Sequence, residues 1–128
     1  MNICIAGKNL IAIEVTKYLL NRLLFKKSNL MIIPNKNDRG TNNWQPSFKK
    51  FAIENKIKIV RLELIYKIDD LIFLSLAYDR IINPNLFKSK NLFNIHFSLL
   101  PKYRGVYTSI HPILNGEKYS GVTLHLID

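Results

Sequence analysis

Seven residues, Leu71 to Ala77 (LIFLSLA), form a nearly unbroken apolar run behind an Asp69-Asp70 turn. A strand with one wet face alternates apolar and polar residues, so a continuous run predicts a parallel strand covered on both sides. Such coverage needs helices, and the chain supplies them. Ile3 to Ala6 reads as a buried strand and Gly7-Lys8-Asn9 as the turn after it. Leu10, Ile11, Ile13, Val15, Leu19, Leu20 and Leu23 then give a helix its apolar face. Leu30 to Ile33 is a second strand closed by Pro34, and Asn35 to Asn43 is polar enough to predict a long mobile loop. Pro46 suits the first turn of a helix from about Gln45 to Asn55, followed by a strand at Ile57 to Val60. A helical turn at Pro84 to Lys88, a strand at Leu92 to His96, a helix at Ile110 to Leu114 and a strand at Val122 to Ile127 complete the pattern. Strands alternating with helices imply an α/β fold, an open, doubly wound and mostly parallel sheet. Such sheets bind ligands beyond the carboxyl ends of their strands. Asn9, Tyr78 and His96 all stand at such ends.

The densest chemistry lies in Asn94 to Gly105, NIHFSLLPKYRG. Residues two apart in a strand point to the same side, so Asn94 and His96 are expected to project together. One offers a neutral hydrogen-bond donor and the other can take or give a proton near neutral pH. Acyl transfer to an amine needs both functions, one for the oxyanion and one for the proton. An isolated Asn-x-His is weak support, because a single histidine at a strand end is more often a satisfied structural residue.

The complete string is more specific. Asn-x-His-x-Ser-Leu-Leu-Pro-x-Tyr-Arg-Gly resembles the signature of the 10-formyltetrahydrofolate-dependent formyltransferases. NGEKYSGVTLHLID, Asn115 to Asp128, is similar to that family's next strand, and MNICIAGKNLIAIEVTKYLL to its first strand and helix. The resemblance implies a Rossmann-like formyltransferase fold, with Asn94 and His96 as catalytic residues. It implies that Tyr78, Arg80 and Ile82 line the pterin pocket, and that Asn9, Ser98 and Arg104 face the acceptor substrate. Asn9 also suits a plain helix N-cap. Arg104 and Tyr103 either bind a phosphate or fix the turn after Pro101. Trp44-Gln45-Pro46-Ser47 resembles a string of sugar N-formyltransferases, though an aromatic at a helix start often only packs. That string favours a nucleotide-linked amino sugar as acceptor, for example a dTDP-4-amino-4,6-dideoxy sugar, used for O-antigen or another surface glycan. The co-substrate is then 10-formyltetrahydrofolate, with no metal. Methionyl-tRNA or glycinamide ribonucleotide formyltransferase fragments are the alternatives within the family, and a non-catalytic folate- or nucleotide-binding remnant is the alternative outside it. His111 and His125 read as structural.

The same resemblance marks a gap. The family's third catalytic residue is the later aspartate of Asp-x-Gly-x-Asp-Thr-Gly; Asp128 matches the earlier one, and the acid would fall four places on. Loss of an acid that orients a histidine can cost roughly 10⁴-fold in turnover. Residues 1–128 are therefore expected to be a formyltransferase catalytic domain without its C-terminal part, impaired as it stands. Asp128 offers a substitute acid, but a terminal residue is poorly held. Homodimers are common among sugar enzymes of this type, often through C-terminal elements.

Composition excludes several other classes. A net charge of +10 invites a nucleic-acid reading, yet the lysines are scattered singly and in pairs without interleaved aromatics. An anionic small ligand fits that charge equally well, and no nucleic-acid partner is expected. No apolar run is long enough for a bilayer span, and the start lacks a secretory pattern, so the expected location is the cytoplasm. The single Cys4 excludes a disulfide framework and reads as a small buried hydrophobe; Gly7 lacks the further glycines of a dinucleotide turn.

Overall fold

The computed structural model describes residues 1–96 and 123–128, except the side chain of His96. Its elements are β1 (Asn2–Gly7), α1 (Asn9–Asn21), β2 (Leu30–Pro34), α2 (Phe48–Glu54), β3 (Lys58–Ile59), α3 (Leu62–Ile65), β4 (Leu71–Leu76), β5 (Asn91–His96) and β6 (Thr123–Leu126). They form one six-stranded sheet in the order β3-β2-β1-β4-β5-β6. Strands β1 to β5 run parallel, and β6 pairs antiparallel with β5. The α/β class and the mostly parallel sheet are those expected from the alternating pattern.

Alternation along the inner strands feeds two cores. Ile3 and Ile5 of β1 and Leu30 and Ile32 of β2 pack with Ala12, Ile13, Phe48 and Ala52 from α1 and α2. Cys4, Ala6, Met31 and Ile33 face the other way, onto Val60, Leu62, Ile65 and Phe87. Cys4 is fully buried, and burial pushes its thiol far above the usual cysteine range. Along α1 the buried positions are Ala12, Ile13, Thr16 and Leu19, whereas Leu10 is exposed, as is Leu23 beyond the helix end. Thr16 is tolerated there because its hydroxyl donates to the Ala12 carbonyl, 2.7 Å away.

Several boundaries differ from the sequence reading. Helix α2 starts at Phe48 because Ser47 caps it, accepting from the Lys50 N–H; Pro46 lies outside the first turn. Strand β3 keeps only Lys58 and Ile59, both exposed, while Ile57 and Val60 on either side are buried. The four residues of α3 are too few to show a helical period. The turn after Asn83 is a three-residue 3₁₀ turn, Pro84–Leu86. Gly7 belongs to β1 rather than to the turn, and a Cβ there would fall 2.1 Å from the Leu76 carbonyl oxygen of β4. The expected helix at Ile110 to Leu114 lies outside the described residues.

Sheet order reverses between β1 and β4, where the chain has finished building outward through β2 and β3. This is the switch point at which open α/β sheets present a crevice. The loops after β1, β2 and β4 meet there. Among the described residues, no helix is long and apolar enough to cross a membrane.

Candidate functional site

A crescent of three cavities follows the carboxyl ends of the strands. The first, about 410 Å³, is bounded by Asn9, Asp38, Trp44 and Ser47. The middle one, about 500 Å³, contains Lys8, Asn35, Lys36, Arg39 and Asp79. The third, about 580 Å³, lies among Ile33, Val60, Leu62, Tyr78 and Arg80. Lys8, Asn37 and Arg39 border the first two, and Lys36 and Asp79 border the last two, so the three adjoin in a row. The middle stretch sets three cations against one carboxylate, which favours an anionic occupant. The third combines Ile33, Pro34, Val60, Leu62 and a phenol with charged Lys36, Arg61, Glu63, Asp79 and Arg80, a lining that suits a flat ring with polar edges.

Asn9 opens this crescent in an unusual conformation. It is the first helical residue, with φ +62, and Lys8 precedes it in extended conformation. Asparagine occupies the left-handed region more readily than other side chains that carry a Cβ. The N-cap reading is thus corrected: the cap position is Lys8, which makes no side-chain cap bond. Trp44 does not pack at the helix start; it stands 88% exposed at the rim of the first cavity.

The loop expected to be mobile is held by its own polar side chains. Asp38 accepts from the Ser47 hydroxyl and from the N–H groups of Gly40 and Lys49. Burial pushes its carboxyl up, but these bonds together with the Phe48 N–H outweigh that effect and hold it below the usual aspartate range. A depressed folded-state value means stability that is complete above roughly pH 4 and lost as pH falls through the lower value. Asp38→Asn is therefore expected to melt below the parent at pH 7, with the gap closing on acidification below about pH 4. Melting curves of both proteins across that range check this.

Tyr78 is half-buried, and burial raises its phenol above the ordinary value. The Arg80 guanidinium works against that shift and Asp79 adds to it, leaving a protonated donor at neutral pH. Arg80 also lies 3.8 Å from Glu63, an exposed pair worth little to stability. Tyr78 and Arg80 share the third cavity, whereas Ile82 does not line it and packs against the second core. Its neighbour Ile81 does not pack inward; it is 99% exposed.

Asn94 sits in β5 opposite Ser75 of β4 and His125 of β6. Leu92, two residues earlier, is buried in the second core, so alternation puts Asn94 on the face that carries Tyr78 and Ile82. Its Nδ2 lies 3.2 Å from His125 Nε2, and His125 Nδ1 lies 3.2 Å from the Leu126 carbonyl. A carbonyl only accepts, which assigns the ring proton to Nδ1 and leaves Nε2 to accept from Asn94. His125 thus orients the carboxamide, a role its sequence position did not reveal because it depends on antiparallel register. His96 ends β5 opposite Thr123; Ser98 and Arg104 lie outside the described residues. Strand β6 runs antiparallel, with Ile127 N–H donating to Leu92 O, so Asp128 follows at the amino-terminal side of the sheet. It does not substitute for an acid beside His96 in this arrangement. Among the described residues, no group of three or more His, Cys, Asp or Glu could hold a metal.

Comparison with known proteins gives the same outline. The formyl transferase family model matches residues 42–128. The crystal structure of WlaRD, a sugar 3N-formyl transferase, in the presence of dTDP and 5-N-formyl-THF, is 56% identical with a TM-score of 0.93; the match covers 100% of this chain and 46% of that one. The N-formyltransferase from Helicobacter canadensis, in complex with folinic acid and dTDP-3-aminofucose, is 52% identical with a TM-score of 0.93, over 100% of this chain and 47% of its own. A methionyl-tRNA formyltransferase of Ruminiclostridium cellulolyticum is 33% identical over 70% of this chain and 32% of its own length. The chain spans less than half the length of each of these proteins. With its signature strand, its sheet order and its match over residues 42–128 in agreement, the chain belongs to the formyl transferase family.

Proposed function

We propose that this protein transfers the formyl group of 10-formyltetrahydrofolate to the amine of a dTDP-linked 3-amino sugar. The observation that carries this reading is the whole-chain likeness, at 56% and 52% identity, to two N-formyltransferases crystallised with thymidine nucleotides and formylated folates. Both names favour a 3-amino acceptor over the 4-amino example considered from sequence. The crescent supports two unlike ligands. Its basic middle, with Lys8, Lys36 and Arg39, suits a diphosphate, and the cavity at Tyr78 and Arg80 suits a pterin. A sugar made this way is a building block for a surface glycan.

In this reading the acceptor nitrogen attacks the formyl carbon, and Asn94 donates an N–H to the oxyanion that develops. A carboxamide has two such hydrogens, so one remains after the bond to His125. His96, two residues on, handles the proton that must leave the amine and reach the departing folate nitrogen.

Trp44 is the only tryptophan and borders the first cavity, so its fluorescence reports on that end of the crescent. Titration with dTDP is expected to change the emission saturably, and Trp44→Phe should abolish the signal. Mass spectrometry of dTDP-3-aminofucose incubated with protein and formyl donor should show one formyl group added. Formylation of methionyl-tRNA, with the sugar left untouched, would replace this proposal by the tRNA reading.

A further inference from the structure

Asn35 joins two neighbouring segments at the switch point through its backbone and its side chain. It is buried at the carboxyl end of β2, 4% exposed. Its N–H donates to the Gly7 carbonyl at 3.1 Å, which joins it to β1. Its Nδ2 donates to the Ala77 carbonyl at 3.0 Å, and its Oδ1 accepts from the Asp79 N–H at 3.2 Å. Asp79 completes the arrangement, its carboxylate accepting from the Lys36 N–H at 2.7 Å. Three bonds therefore fasten the loop after β4 to the loop after β2, although these loops are separated by more than 40 positions in the chain.

The fastened loops meet where the middle and third cavities adjoin, and Lys36 and Asp79 border both. Tyr78 and Arg80 line the third cavity, while Lys36 and Asn37 lie in the basic middle that leads to Asn9 and Trp44. Ala77 is held at φ +57, a left-handed conformation that a residue with a Cβ adopts only when its surroundings fix it. The Asn35 amide grips the carbonyl of that residue.

We propose that the Asn35–Asp79 latch positions both loops at once and so couples folate binding at Tyr78 to nucleotide binding at Lys36. This rests on the two-ligand reading above. Binding of either ligand narrows the placements open to the loop that it touches. When one ligand has fixed its loop, the latch has already ordered the other, and the second ligand binds more tightly. Coupling of this kind is reciprocal.

Calorimetry on the intact protein tests it, with dTDP and 5-formyltetrahydrofolate titrated separately and then each in the presence of the other. The parent should bind dTDP at least about fivefold more tightly when folate is saturating, with the same factor in the reverse order. Asn35→Asp keeps the side-chain volume and the acceptor but sets a carboxylate against the Ala77 carbonyl. Asp79→Ala removes only the exposed half of the latch. Both should bring the factor below about twofold, and the factor is a ratio, so weaker binding of either ligand alone does not mimic the result. Should Asn35→Asp fail to melt cooperatively, Asp79→Ala decides alone. A parent factor of one, or full coupling in a folded variant, overturns the latch while leaving the two-ligand reading intact. Failure of the parent to bind either ligand removes that reading and the latch with it.

Discussion

Asn94→Ala is expected to lower formyl transfer by about 10²- to 10³-fold, with binding of both ligands little changed. Removing one oxyanion donor has that effect because its hydrogen bond strengthens as charge develops. In a crowded site, the donor acts only if it already points at the reacting oxygen. Here that aim comes from His125, whose Nε2 accepts from Asn94 while its Nδ1 is held by the Leu126 carbonyl. His125→Leu leaves Asn94 in place but unaimed. A neutral hydrogen bond nets roughly 0.5–1.5 kcal/mol, so this change should cost up to about tenfold. The double variant should be no worse than Asn94→Ala alone, because His125 has nothing left to orient. Steady-state kinetics of the three variants check the series. Independent losses that multiply would separate His125 from the carboxamide.

Gly7→Ala is expected to destabilise the fold by about 3 kcal/mol or more, lowering the melting temperature by more than about 10 °C. The added carbon would sit 2.1 Å from a backbone oxygen and 2.9 Å from its carbonyl carbon. Backbone in the centre of a sheet cannot rotate aside as a side chain does. Relief therefore requires β1 and β4 to part where Gly7 pairs with Leu76, beside the ligand loops. Gly40→Ala is the control. At φ +83 it suffers the left-handed penalty of roughly 1–2 kcal/mol, yet its new carbon meets only Lys49 Cδ, at 3.8 Å. Thermal melts that rank Gly40→Ala as the more damaging change would refute the steric account.

The sheet was readable because interior parallel strands carry apolar runs and the helices between them carry a 3.6-residue period. Leu71 to Leu76 declared itself in this way, and so did β1 and β2. Elements governed by a side-chain bond were harder to place. Helix α2 starts three residues after the Gln45 expected from sequence, because proline at position 46 suits a first turn as well as the position before a cap. The polar stretch after β2 read as loose since its partners are remote. Nothing local to Asn35 announces Ala77, and nothing local to Asp38 announces Lys49. For the candidate site, the motif alone draws attention to Asn94. It draws none to His125, because an antiparallel register fixes which residues face each other and no sequence spacing encodes it.

The strand order also dictates when the chain can become whole during synthesis. β1 leaves the ribosome before its sheet neighbours, but one of its edges is filled by residues 30–34 and the other only by residues 71–76. It must therefore wait, half-paired, until β4 has emerged as well. Nascent-chain folding is thus gated at β4, and the ligand crevice is born with the same event that closes the middle of the sheet.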